Sequence, residues 1–349
     1  MTDQPASLKR VAKFEPSQSD AVETYVAAAG GSIFHTPRWL QAVAEGTGNR
    51  AHGLVLYDRE KVTGWLPLTC MHSPLFGRAL VSSGFAVGGG TIAANPEDAE
   101  TLCHAAQELA QRLSVETVEV KGGAFPGDWE ADDRTYAGFV ADLADTDEAQ
   151  LLAIPRKARA EVRKGLAKDL HVEHGRSEAL RAAHYAIYAR SVHNLGTPVF
   201  PRSLFEAVMD AFPEADITLV SDREGPVSAV LSLYHSGMAM PYWGGGLARA
   251  RALHSNERMY YELMCHARQR GATRFDFGRS KTGTGPYRFK KNWGFEPEPL
   301  RYGYWTAPGA DRRNLNPDDP KHAARVAAWR RLPPFLADRL GPLIARGLG

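Results

Sequence analysis

Cysteine is scarce in this chain: Cys70, Cys103 and Cys265 stand far apart among 349 residues. No pair has CxxC spacing, so the sequence offers neither a disulfide framework nor a cysteine zinc site. Two of the three fall in apolar helical patterns, as core filler in a reduced compartment. Long apolar runs are missing too, none approaching the roughly 18 residues of a membrane span. The opening MTDQPASLKRVAKFEPSQ lacks the apolar stretch of a secretion signal. A cytoplasmic protein is expected, or one at the inner face of the cytoplasmic membrane. A dominant charge sign is absent as well: 42 Lys and Arg against 40 Asp and Glu leave +2. Any anion binding must therefore come from local clusters. HExxH, EF-hand and GxSxG patterns do not occur, and His171 with His174 makes only a weak pair, so no metal is expected.

What is present has a repeating order. In the first half, Thr36–Pro37 opens a helix over about 36–45. Strand-like runs LVLY (54–57), VTGWLPLT (62–69) and ALVSS follow, then GGG (88–90). PEDAETLCHAAQELAQRL places apolar residues on one helical face with acids in its first turn, and TVEV (117–120) follows. The second half has helical stretches over about 178–195 and 202–211. The strands ITLVS (217–221) and VSAVLSLY (227–234) come next, and MAMPYW runs into a second GGG (244–246). A helix from about Asn256 to Gln269 and the strand TRFDF (273–277) complete it. Two copies of one α/β unit with mixed sheets account for this order.

Two basic segments stand out. PRKARAEVRKGLAKD (155–169), whose cations include Lys157, reads as a helix with Arg156, Arg159 and Arg163 on one face and Lys164 close by, either a solvated surface or an anion contact. FDFGRSKTGTGPYRFKKNWGFEP (275–297) holds Arg279, Lys281, Arg288, Lys290 and Lys291 with no carboxylate from 279 to 291. GRSKTGT misses the Walker A pattern, because Thr284 stands where the lysine must be. Gly278, Gly283 and Gly285 nevertheless suit a phosphate cradle, with Arg279 and Lys281 to neutralise it. The plainer reading is a basic hairpin pinned by Trp293 and Phe295. Tyr242 and Trp243, before the second GGG, are core aromatics or a cleft wall. Asp276 points away from Phe275 and Phe277 and is either a base or an ion-pair partner.

Together, the duplicated units, the joining basic helix and the GRSKTGTGPYRFKKNWGF stretch resemble the FemAB family of duplicated GNAT-fold transferases, nearest to its exosortase/PEP-CTERM-associated branch. The resemblance spans FHTPRWLQAV (34–43) to the tail. It implies a fold of two tandem GNAT-like domains, an acyltransferase activity and a cell-envelope or exopolysaccharide precursor as acceptor. It also implies that Lys290 meets phosphate and that Arg156, Lys157, Arg159 and Arg163 face an anionic substrate. The Fem donor is aminoacyl-tRNA, yet this sequence has no heptad stretch for the family's coiled-coil arm. The alternative donor is acyl-CoA, although GLARARALHSN before the helix at 256 lacks the usual glycines. No permanently bound cofactor is expected.

The expected organisation is a first domain over 1–150, a second over 151–306 and a tail over 307–349. Asp276, Lys281 and Tyr287 are the catalytic candidates. The substrate-binding candidates are the four helix cations, Tyr242, Trp243, Asn256, Arg279, Ser280, Gly285, Arg288, Lys290, Lys291 and Trp293. The substrate is expected to be a phosphate-bearing small molecule or a lipid-linked glycan, with tRNA as one donor. The tail, cationic and carrying Trp329, Phe335, Leu340 and Leu343, either folds back or lies on an anionic membrane. A non-catalytic precursor-binding protein and an RNA-binding protein are the rival readings.

Overall fold

The computed structural model describes residues 9–73, 77–313 and 320–349, the side chains of 320–325 excepted. The chain forms two mixed sheets. Strands Lys9–Lys13, Arg50–Asp58, Lys61–Ser73, Gly77–Ser82, Thr117–Lys121, Tyr302–Thr306 and Glu130–Asp132 lie side by side in the first, with Ile92–Ala93 paired to the third of them. The second runs Ser280–Lys281, Tyr136–Asp142, Arg274–Asp276, Met238–Gly246, Gly225–His235, Asp216–Asp222 and His171–Gly175, with Pro297–Pro299 also on Tyr136–Asp142. The mixed α/β class and the repeated order of elements are both present.

Local chemistry explains the helices. Thr36 Oγ1 accepts the Trp39 N–H at 3.2 Å, Pro37 occupies the first turn, and Gly48 at φ 72° ends the helix Pro37–Thr47. Asn95 Oδ1 accepts the Asp98 N–H at 2.9 Å to open Pro96–Arg112, whose Leu102, Cys103, Ala106 and Leu109 are buried against the first sheet. All three cysteines are buried and free.

The expected boundary at 150/151 is crossed by the strands. Tyr136–Asp142 joins the second sheet, pairing Phe275 with Ala141, while Tyr302–Thr306 joins the first, pairing Gly303 with Val120. The units also share a core. Trp39 and Val43 of one pack with Leu204, Val208 and Trp243 of the other, and a Cβ on Gly46 would lie 2.5 Å from Leu204 Cα.

Each sheet has one parallel pair between its strands, and both pairs are short. In the second sheet Met238 and Ala239 pair with Arg274 and Phe275, and in the first Leu80 and Val81 pair with Val118 and Glu119. Beyond these positions the strands part. The second strand of the hairpin, Met238–Gly246, carries a bulge: Leu231 pairs with Trp243 and Ser232 with Pro241, so Tyr242 is the extra residue. The glycines 244–246 that follow pair regularly with Ser228–Val230.

The tail folds back. Helices Pro320–Arg331 and Pro334–Ala345 rest on the helix Glu178–Leu195, with Ala337, Gly341 and Ala345 buried. Arg330 Nη2 donates to the Leu195 carbonyl at 3.0 Å, Asn49 Nδ2 to that of Arg346 at 2.6 Å, and Arg313 Nη2 to that of Gly347.

Candidate functional site

Where the strands of the second sheet part lies a cavity of about 610 Å³. Tyr242, Trp243 and Gly244 form one wall. Phe277, Gly278, Arg279 and Ser280 form the other, and Asn256, Tyr260, Phe289 and Lys290 reach it from the helices. Phe85, Ala86 and Val87 of the first unit close it from across the seam.

Lys290 is the one buried residue of the short helix Gly285–Asn292. Its Nζ donates to the carbonyls of Gly278 at 2.9 Å and Arg279 at 3.0 Å, and lies 5.3 Å from the Phe139 ring centroid. An ammonium has three donors, so one remains beyond these two bonds. Burial pulls it down to about 8, against the upward pull of the Asp276 carboxylate. Two more polar atoms on this lining, Asn256 Oδ1 and Ser280 Oγ, are buried without a hydrogen-bond partner among the described residues. Such orphaned atoms destabilise a fold unless a ligand or water meets them.

The expected cradle of five cations is divided. Arg279 and Lys290 turn inward. Lys281 follows Ser280 in a strand on Tyr136–Asp142, where it pairs with Tyr136 and does not line the cavity. Arg288 is exposed and donates to the Gly283 carbonyl at 2.8 Å, and Lys291 is exposed. The reason is geometric: the stretch is a two-residue strand followed by a helix, so successive side chains point apart. Gly285 opens that helix with open space around it.

The catalytic candidates Asp276 and Tyr287 lie off this cavity lining. Asp276 accepts the Gly278 N–H at 2.8 Å, fixing the turn at the strand end, and burial raises its carboxyl. Tyr287 packs edge-on to Phe139 at 5.3 Å, outside the cavity lining. Trp293 is buried among Tyr260, Phe277 and Phe289. Trp243 joins the core and stacks on Trp39 at 6.1 Å, while its carbonyl lies 2.7 Å from His184 Nε2. The basic helix, Arg156–Leu166, buries Ala158, Val162 and Gly165 and places none of Arg156, Lys157, Arg159 and Arg163 on the cavity lining. Arg159 instead bonds the Leu152 carbonyl at 2.9 Å, and Lys164 pairs with Glu161 at 2.8 Å.

Sequence reasoning passed over the first unit's share. The carbonyls of Phe85, Ala86 and Val87 accept from Tyr242 Oη at 2.6 Å, Lys121 Nζ at 3.1 Å and Tyr302 Oη at 2.8 Å. These bonds bind the loop after Gly77–Ser82 across the gap between the first unit's parallel strands. A lysine at a strand end before Gly122–Gly123, matching the place of Phe277–Gly278 in the repeat, was the available signal. Among the described residues no cluster could hold a metal ion.

Residues 155–291 match the Acetyltransferase (GNAT) domain family. The structure is similar to FemX, at 16% identity and TM-score 0.64, over 84% of this chain and 96% of that one. It is similar to the C-terminal domain of a putative lysylphosphatidylglycerol synthetase from Agrobacterium fabrum, at 13% identity and TM-score 0.57, over 95% and 98%. A tandem GNAT protein from the clavulanic acid biosynthesis pathway matches at 12% identity and TM-score 0.53, over 87% and 100%. No curated protein matches in sequence. With the family match over its second unit and two splayed mixed sheets, the chain is an acyltransferase of tandem GNAT-like fold.

Proposed function

We propose that this enzyme transfers an activated acyl or aminoacyl group to an amine or hydroxyl of a cell-envelope or exopolysaccharide precursor. The observation that carries the reading is the buried Lys290 ammonium beside the orphaned Asn256 Oδ1 and Ser280 Oγ, in the opening between the second unit's strands. The acceptor attacks the acyl carbonyl directly, forming a C–N or C–O bond while the bond to the thiol or tRNA oxygen breaks. The acceptor's proton leaves to solvent or to the leaving group. Lys290 supplies a fixed positive charge to the developing oxyanion, in a site where burial strengthens it. Asn256 enters at the start of the helix Ser255–Gln269, whose positive end suits a phosphate-bearing donor.

The test is a transfer assay with acetyl-CoA, long-chain acyl-CoA and aminoacyl-tRNA as donors and UDP-linked sugars as acceptors. Lys290→Met should lower kcat by about 10²–10³, the effect of removing one oxyanion donor, with donor affinity kept. Unchanged turnover in that variant removes the mechanism. A donor that binds with no transfer to any acceptor favours a precursor-binding protein.

The tail supports a membrane contact. Among the described residues, the exposed large apolar side chains are Leu195, Phe335, Leu336, Leu340, Leu343 and, elsewhere, Leu152. Four of these lie on the helix Pro334–Ala345, with Arg339 among them and Arg346 after its end. An apolar face ringed by cations fits an anionic lipid surface. Among the described residues no helix is long and apolar enough to cross a membrane.

A further inference from the structure

A second cavity, of about 550 Å³, adjoins the first and shares Arg279, Leu348 and Gly349 with it. Its remaining lining is Glu119 and Lys121 from the first sheet, Asp132, Thr135, Tyr136 and Tyr304, and Arg312 with Arg313. Four cationic side chains face two acidic side chains there.

The pairing of these charges is uneven. Arg312 is held by Glu130 at 2.5 Å, by Asp132 at 3.7 Å and over the Tyr304 ring at 3.5 Å. Asp132 also accepts the N–H groups of Arg134 and Thr135 at 3.1 and 3.0 Å. Lys121 and Arg279 have no such partner: among the described residues no carboxylate lies within ion-pairing distance of either. Lys121 is 4% exposed, and its ammonium donates to the Ala86 carbonyl at 3.1 Å. Arg279 donates to Tyr302 Oη at 3.0 Å and lies 4.4 Å from the Tyr136 ring centroid. Burial pulls Lys121 down to about 8 although Glu119 raises it, and Arg279 and Arg313 add to the fall. A buried cation and a half-buried one repelling each other beside an open volume are unfavourable unless an anion joins them.

We propose that this cavity binds the anionic group of the acceptor, a carboxylate or a phosphate, against Lys121 and Arg279. Arg279 lines both cavities, so an acceptor anchored here reaches toward the acyl group beside Lys290. Assigning the anion to the acceptor rests on the acyl-transfer reading; the anion site itself stands on the cavity and its charges.

The experiment is isothermal titration of the full chain, without acyl donor, with inorganic pyrophosphate, glucuronate and glucose. One or both anions should bind at one site with glucose silent, and the stronger anion identifies phosphate or carboxylate. Lys121→Met should weaken that binding at least ten-fold, Lys121→Arg should retain it, and Lys291→Ala, an exposed lysine outside the cavities, should leave it unchanged. Thermal melts confirm that each variant is folded. No binding of either anion at about 10 mM, the weak end of small-ligand affinity, overturns the site, as does equal affinity in Lys121→Met. A parallel titration with acetyl-CoA separates the two readings. Anion binding that leaves acetyl-CoA affinity unchanged supports the acceptor, whereas competition moves the site to the donor and overturns the acceptor assignment. Failure of acetyl-CoA and aminoacyl-tRNA to bind, with the anion still bound, counts against the transfer reading alone.

Discussion

The Arg279 guanidinium meets the Tyr302 hydroxyl at 3.0 Å, and that hydroxyl lies 2.8 Å from the Val87 carbonyl. Arg279 follows a strand of the second sheet, and Tyr302 begins a strand of the first. One chain of hydrogen bonds therefore joins the two sheets at the point where the two cavities meet.

Tyr302→Phe cuts that chain and leaves the half-buried Val87 carbonyl and one Arg279 donor unmet. The expected loss of stability is about 1–3 kcal/mol, measured by urea unfolding. Transfer activity should fall as well, since Arg279 and residues 85–87 both line the first cavity. A variant as stable and active as the parent would show that the contact holds nothing in place.

Lys121 and Lys290 give a pH dependence of defined sign. Both have a folded pKa of about 8, below the ordinary 10.5 of the unfolded chain. Between these values the unfolded state holds protons that the folded state has lost, so stability from this source rises with pH. Their contribution is least favourable below pH 8. Comparing unfolding at pH 7 and pH 9.5, the parent should gain on Lys121→Met. Activity runs the other way, falling as pH rises through about 8 and Lys290 loses its charge.

The cations that stay outside the cavities should matter little. Arg156→Ala, Arg163→Ala and Lys291→Ala, singly or together, should leave kcat/KM within about two-fold for a small-molecule donor, as expected of surface positions. A ten-fold loss in the combined variant would return the basic helix to the site.

Two glycines should prove intolerant. A Cβ on Gly90 would lie 1.8 Å from the Gly122 carbonyl oxygen, and one on Gly123, at φ +77°, would lie 2.1 Å from that of Thr91. Each substitution to alanine should destabilise by about 3 kcal/mol or more. Gly127→Ala, with nothing within 4 Å of the new atom, should change stability by no more than about 0.5 kcal/mol. Thermal melts of the three variants decide it.

The full chain should sediment with vesicles of phosphatidylglycerol and remain in solution with those of phosphatidylcholine. Phe335→Asp with Leu343→Asp should abolish sedimentation without changing the melt, since both side chains are exposed at 66% and 58%. Equal recovery with both lipids, or an unaffected variant, would remove the membrane contact.

The sequence by itself determined the elements and their order. Alternating apolar runs, the caps at Thr36 and Asn95, and the one-faced helix 96–112 act over a few residues, and local rules read them. It also indicated Tyr242, Asn256, Ser280, Arg279 and Lys290, because glycine, cations and aromatics crowd around them. Only the tertiary structure decided which of these meet. Whether Lys290 or Lys291 faces inward depends on the phase of a short helix against Phe139, and Lys121 reaches the seam through a carbonyl 35 residues away. The exchange of Tyr136–Asp142 and Tyr302–Thr306 between sheets is a long-range pairing that a linear boundary at 150 cannot express. The energy of a buried charge is set by what surrounds it in space, and neighbours in sequence are only part of that surrounding.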